Sequence, residues 1–512
     1  PGSTSIQMLK LTAPTRGLPP PRSFHGAHSL SVLFLGAALV IGGAGRLRAT
    51  PLENSRHGGL NRSSTVEPHP ASLFRNPAVV GLLEGTHLFL DGTVRLELGR
   101  IHRTDIDRST GVPGPGANLR FESESFAHVT PDFYFAATSD LNTNRVVLGL
   151  AVFTPFSELQ RFPDPASSQT PAGLEPSRYH RIRSDWFHLF VLPAVAVRIH
   201  DRFRLGLGLG YVRSMLRMAF SRDCAIRSCR TGISAPPFES PTAQERVEVS
   251  GAEDSFFFNV GVLVRLPSQV DLGLAYRSKV VGVRQDDIRA EGNAEIRRYV
   301  ETSGGWESIR GRARTEYEIP DSLALGVKWN RQPWDFAWGF EWVRWSVHKD
   351  LSFTLTGNAF RAADMANWDL RFKRYRGFQD VFRASFLAGY TFREGLVLSF
   401  GGLFESSAVP KRWLAADAVD AHKADLLLSL LWRPHRSVGI HVGYSFTLSP
   451  DVRVEKSGFD PRYTTQCVED QVDILWSEAC RLVSQGKGLP TGAGQYWHMV
   501  HRLGIGVSYD FW

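Results

Sequence analysis

Sulfur is scarce in this chain, with four Cys and five Met among 512 residues. No tight Cys-x-x-Cys with a matching His pair exists, so a zinc centre is excluded and no metal or cofactor is expected. Apolar runs are short as well. Beyond the N-terminal region none approaches the length of a membrane helix, which excludes a helical membrane bundle. The formal charge is +8, yet Lys and Arg are scattered without a basic run or binding motif, so no nucleic-acid partner is expected. A Gly-x-Ser-x-Gly elbow is missing too. Past about residue 85 no linker or shift in composition divides the chain into soluble domains.

What the sequence has is alternation. Near the C-terminus Leu503, Ile505, Val507, Tyr509 and Phe511 alternate with Arg502, Gly504, Gly506, Ser508 and Asp510. Side chains switch faces at every residue of a strand, so this ribbon has one greasy face and one polar or small face. The pattern recurs in Phe203-x-Leu205-x-Leu207-x-Leu209-x-Tyr211, in Leu323-x-Leu325-x-Val327-x-Trp329, in residues 382–391 and in residues 438–448. Each run has about the ten residues that a tilted strand needs to cross a bilayer. The greasy rows are large, and the other rows are Gly, Ser, Arg and Lys. Lipid outside and a wide wet lumen inside account for that division, and Phe511 fits the aromatic of a closing strand, with Trp512 one residue extra. The fold class is therefore all-β, a transmembrane antiparallel barrel of about fourteen strands in a bacterial outer membrane.

Turn signals occur at 139–144, 200–202, 266–269, 331–334, 393–395 and 433–437, where the periplasmic side is expected. Long polar stretches lie between them at 104–118, 157–183, 221–251, 283–305, 356–376, 410–422 and 449–496. Short turns on one side and long loops on the other form the asymmetry of such barrels. Residues 1–49 hold a short apolar run (29–45) behind Arg16 and Arg22 and ahead of small residues, which reads as a signal peptide cleaved after Ala44 or Ala49. Residues 50–85 are too long for a linker and too polar for a strand, and are expected to plug the lumen; a free periplasmic tail is the alternative. Residues 86–512 make the barrel. Cys224 with Cys229 and Cys467 with Cys480 sit in external loops of an exported chain, so two local disulfides are expected.

Several motifs then resemble one family in order along residues 70–512. They are Phe74-Arg75-Asn76-Pro77-Ala78, Pro131-Asp132-Phe133-Tyr134-Phe135, Leu148-Gly149-Leu150 with Thr154-Pro155-Phe156, and Ile319-Pro320-Asp321-Ser322-Leu323 with Gly326, Trp334, Trp338 and Trp345-Ser346. Gln379-Asp380-Val381-Phe382-Arg383 with Gly389-Tyr390, and Glu405-Ser406-Ser407-Ala408-Val409-Pro410, complete the set. The set resembles the FadL/TodX family of outer-membrane transporters for hydrophobic compounds. The resemblance implies a hatch around Asn76, Pro77 and Ala78, capture of a ligand by external loops, and lateral release at a kinked third strand, here Thr154, Pro155, Phe156 and Ser157. Ser157 departs from the Gly that the family commonly places there. The ligand expected first is a long-chain fatty acid, with an aromatic hydrocarbon as the alternative; outer-membrane lipid and lipopolysaccharide are the expected surroundings and a monomer the expected assembly.

For a carboxylate-bearing ligand, lumen cations should supply charge-assisted hydrogen bonds. Strand parity turns Arg204, Lys328, Arg383 and Arg502 inward. The competing role for each is to pair with inward acids such as Glu341, Glu405 and Asp510. Trp338 and Trp342 share parity with Phe336 and Phe340 and should face lipid. Two rival functions are a structural or adhesive barrel without transport and a lipid-modifying enzyme. The second is disfavoured because His441 and Ser445, which share a face, are about 13 Å apart along their strand.

Overall fold

The computed structural model describes residues 64–511 apart from 109–115, 168–174, 224–238, 284–286, 301–303, 363–370, 417, 456, 458 and 460–491. The expected signal peptide and all four cysteines lie outside the described residues.

Fourteen antiparallel strands close on themselves. They are β1 (Thr86–Arg103), β2 (Glu124–Ser139), β3 (Val146–Phe153), β4 (Arg183–His200), β5 (Phe203–Asp223), β6 (Gln244–Leu266) and β7 (Val270–Arg277). The second half comprises β8 (Ser322–Arg331), β9 (Trp334–Val343), β10 (Val381–Arg393), β11 (Leu396–Glu405), β12 (Lys423–His435), β13 (Val438–Leu448) and β14 (Gly494–Phe511). Each pairs with its sequence neighbour, and β14 closes the ring on β1 from Thr86↔Phe511 to Arg103↔Gly494. This closure leaves neither the first nor the last strand with a free edge in hydrocarbon, where an unpaired backbone group costs several kcal/mol. Among the described residues no helix is long and apolar enough to cross a membrane.

Parity is as the alternation requires. On β14, Leu503, Ile505, Tyr509 and Phe511 are exposed, whereas Arg502, Ser508 and Asp510 are buried. On β5, Leu205, Leu207 and Leu209 are exposed and Arg204 is buried. The outward row of β9 is wholly aromatic (Trp334, Phe336, Trp338, Phe340, Trp342), and Trp334 and Phe336 stack with centroids 5.8 Å apart.

The short turns fall where expected. At one of them Asp140 accepts hydrogen bonds from the Gly85 and Asn142 amides, both 2.9 Å. The Gly85 amide first, then that of Asn142, holds its carboxyl below the usual carboxylate range. This fixes the start of β1 to the β2–β3 turn.

The long polar stretches required correction. Residues 283–305, expected as loop, contain the strand Ile288–Val300, which pairs with β6 on one side and with Gly305–Tyr317 on the other. Asp350–Thr356 and Arg371–Tyr375 continue this ribbon. Its outward row is charged instead of greasy, with Arg289–Glu316 at 3.0 Å and Arg314–Glu291 at 2.9 Å. Its inward row (Ile288, Ala290, Ala294, Ile296) is buried. Above the membrane a strand faces water, so its polar row can be ionic, and a search for greasy rows overlooks it.

Candidate functional site

The segment before β1 lies against the inner wall. Pro70–Leu73 and Pro77–Leu82 form 3-10 turns, each opened by a residue whose side chain accepts from an amide two residues on: His69 from Ala71, and Asn76 from Ala78. Pro at the first helical position has no amide to leave unsatisfied. Asn76 is fully buried. Its Nδ2 donates to Thr65 O (2.8 Å) and to Val262 O of β6 (3.1 Å), while its Oδ1 takes the Ala78 amide (3.0 Å). Every polar atom of the side chain is thus used, and one bond reaches the wall.

Glycines on the wall make room for this segment. A Cβ at Gly206 of β5 would stand 2.2 Å from Ala78 N, and one at Gly261 of β6 would stand 1.8 Å from Asn76 Oδ1. At Gly273 of β7 it would meet Thr65 O at 2.1 Å, and at Gly326 of β8 Thr65 Oγ1 at 2.0 Å. Four consecutive strands therefore present a bare backbone to residues 65–78. The alternation marked Gly206 and Gly326 only as small and inward, and it did not single out Gly261 or Gly273. Further bonds join segment and wall: Asn259 Nδ2 to Leu73 O (2.9 Å), Arg204 Nε to Gly81 O (3.1 Å), and Lys328 Nζ to Glu67 Oε2 (2.5 Å). Phe74 enters an aromatic cluster with Phe153, Phe190 and Phe257.

The four predicted lumen cations are all inward and buried. They do not converge, and each has a partner. Arg204 and Lys328 hold the segment as described. Arg383 bridges Glu341 and Glu405, both at 2.9 Å, and Glu341 also takes Arg75 of the segment at 2.8 Å. Arg502 donates to Thr447 Oγ1 at 2.8 Å, with Asp425 at 4.0 Å. Asp510 is paired with His87 at 2.7 Å.

Between the segment and strands β8 to β12 lies a partly open cavity of about 140 Å³, whose lining also reaches outward residues such as Leu325, Trp338, Phe340 and Phe386. Its inward lining includes Ala324, Ala337, Gly339, Ser385, Leu387, Leu403 and Leu427. Because Ala337, Gly339 and Ser385 are small, the backbone of the wall forms its floor. Arg75, Glu341 and Arg383 form an ionic edge, whose second arginine is balanced by Glu405 behind it, and Glu67 closes another side.

On the opposite side of the barrel the wall is interrupted. Strand β2 is laddered to β1 along its whole length, but to β3 only from Tyr134 to Ser139. Between Phe153, opposite Phe190, and Glu158, opposite Trp186, the four residues Thr154, Pro155, Phe156 and Ser157 face only three on β4. Such a bulge bends the strand that carries it. The bend turns inward: Thr154 and Ser157 are buried, and Phe156 packs on Phe190 at 5.8 Å. Among the described residues, Glu124 to Phe133 of β2 therefore has no ladder partner on this side. Pro131 within it brings no amide donor to be left unpaired.

At the external mouth, Glu239 is buried between Arg103 at the end of β1 (3.0 Å) and Arg178 (3.0 Å). Burial raises its carboxyl pKa, but Arg103 and then Arg178 outweigh it, and the net direction is down. Nothing in the sequence links these three residues, which are up to 136 positions apart.

A family profile described as outer membrane protein transport protein (OMPP1/FadL/TodX) matches residues 59–473. Among solved structures, a Pseudomonas aeruginosa FadL homologue is similar at 15% identity and a TM-score of 0.67, covering 92% of this chain and 100% of that one. The P. putida toluene transporter TodX is similar at 14% identity and a TM-score of 0.59, covering 91% and 99%. The Ralstonia pickettii toluene transporter TbuX gives 13%, 0.56, and coverage of 91% and 99%. No curated protein matches the sequence.

Proposed function

The chain belongs to the OMPP1/FadL/TodX family of outer-membrane transport proteins, and on that footing we propose that it takes up hydrophobic compounds and releases them sideways into the membrane. The segment at residues 64–83 acts as a hatch in the lumen. The ligand rests in the cavity beside it and leaves between β2 and the bend at Thr154–Ser157. The observation that carries this reading is the interrupted ladder, because a barrel that only spans or adheres has no need of an open seam. Sideways release keeps an apolar molecule out of water, which is worth about 0.8 kcal/mol per methylene.

The cavity, about 140 Å³, is close to the roughly 150 Å³ of an engineered cavity that takes benzene. It suits a single ring or a short length of alkyl chain. Each of the four lumen cations already has an acceptor, a carboxylate or a backbone carbonyl for three of them and the Thr447 hydroxyl for Arg502, so a neutral ligand is favoured over a carboxylate seeking an unpaired cation. That places monoaromatic compounds ahead of the long-chain fatty acids expected from the sequence. Two of the similar structures are toluene transporters, which accords with this preference.

Deleting Pro155 tests the seam, since three residues would then face three on β4 and the ladder can continue. Labelled toluene and labelled oleate are offered to cells lacking their own transporter. Uptake of toluene should fall to background while the purified barrel keeps its heat-modifiable mobility. Unchanged uptake in a folded deletion variant would refute lateral release.

A further inference from the structure

We propose that Arg95 is a positioning residue of the side opening, a strut that replaces the missing backbone ladder between β2 and the bend and sets the width of the seam. The proposal rests on the reading that ligand leaves at this place. Arg95 lies on β1, its side chain turned into the lumen and 3% exposed. In register it stands beside Thr130 of β2 and Arg502 of β14. Its Nη2 donates to Thr130 Oγ1 at 3.1 Å and to the Ser157 carbonyl at 3.1 Å. One nitrogen thus touches both banks of the seam: the free side of β2, and the last residue of the bend.

The geometry is specific. Elsewhere in the wall neighbouring strands are held by rows of amide-to-carbonyl bonds, each of which fixes a spacing of about 4.8 Å. Where β2 and the bend have parted, those bonds are gone, and the guanidinium spans the gap from within. An arginine fits this task because its donors are fixed in a planar fork. The charge is accommodated by its inward neighbours: Glu97 on the same strand and face, and Asp132 on β2, both buried. Ser157 takes part through its main-chain carbonyl, so a glycine at this position would accept the same bond. The departure from the family residue leaves the strut unaffected.

The test is a distance across the seam. Spin labels at Ala127 on β2 and Leu159 just past the bend, both on the outward row, report its width in the full-length protein in nanodiscs. Arg95→Met keeps the length and bulk of the side chain and removes its donors. Its distance distribution should broaden and shift relative to the parent, and Arg95→Lys, which can still reach one of the two acceptors, should recover part of the change. A label pair on β12 and β13 should not move, which separates a change at the seam from a general loosening of the barrel. An unchanged 127–159 distribution in Arg95→Met overturns the strut. A changed distribution with unaltered toluene uptake keeps the strut and refutes the exit reading instead, so the two failures are told apart.

Discussion

Replacing Gly206 by Ala should undock the N-terminal segment while leaving the barrel standing. The added methyl would sit 2.2 Å from Ala78 N and 2.4 Å from Pro77 C, both main-chain atoms that cannot rotate away. Ordinary contact begins at 3.4 Å, so the segment must retreat by about 1.2 Å (3.4 minus 2.2). A retreat of that size takes bonds of 2.9 to 3.1 Å past hydrogen-bonding reach. The bonds at stake join segment to wall: Asn76 to Val262 O, Asn259 to Leu73 O, and Arg204 to Gly81 O. At about 1 kcal/mol net for each, docking should weaken by about 2–4 kcal/mol. The wall's own ladder is untouched. Single-channel recording in planar bilayers should show more frequent and larger openings, with heat-modifiable mobility retained. Gly92→Ala is the control, because a Cβ there meets nothing within 4 Å. If Gly206→Ala conducts like Gly92→Ala and melts at the same temperature, the segment is not seated as described.

Two further outcomes are expected. Glu239→Gln leaves two buried guanidinium groups without their counter-charge, and loss of about 3–5 kcal/mol is expected for a broken buried pair, read as a lower melting temperature. Because the folded Glu239 carboxyl titrates below its ordinary value of 4.5, its contribution is fully present above about pH 4.5 and is lost as pH falls through the depressed value; the parent should therefore lose stability on acidification by more than Glu239→Gln does. Cysteines placed along β14 should react with a membrane-restricted label at Leu503, Ile505 and Tyr509 and be spared at Gly504 and Ser508, and equal labelling of the two rows would overturn the assignment of faces.

The wall was readable because lipid imposes a rule on every second residue. Leu205, Leu207 and Leu209 had to be greasy wherever their neighbours stood, and the same parity turned Arg204, Lys328, Arg383 and Arg502 inward. The inward acids Glu341 and Glu405 could be named as partners for such cations, but which cation takes which could not, since Arg383 finds them only through the registers of β9, β10 and β11. The ribbon at Ile288–Val300 was hidden for a different reason: water imposes no greasy row, and Arg and Glu alternate there as they do in loops. The motif at Asn76 to Ala78 was visible as a turn, but its seat was not. Gly206, Gly261, Gly273 and Gly326 look in the sequence like any small lumen residues, and only the folded ring brings them under one segment.

That seat has a bearing on how the molecule comes into being. Asn76 bonds to Val262 across 186 positions, and Glu67 to Lys328 across 261. The segment leads the barrel in order of synthesis, yet the surface that receives it does not exist until β5 through β8 have been laid side by side. It must remain unhoused while that part of the wall is built. Contacts of such long range are entropically late to form. Docking of the segment is therefore a late event in assembly, later than the pairing of the strands that receive it.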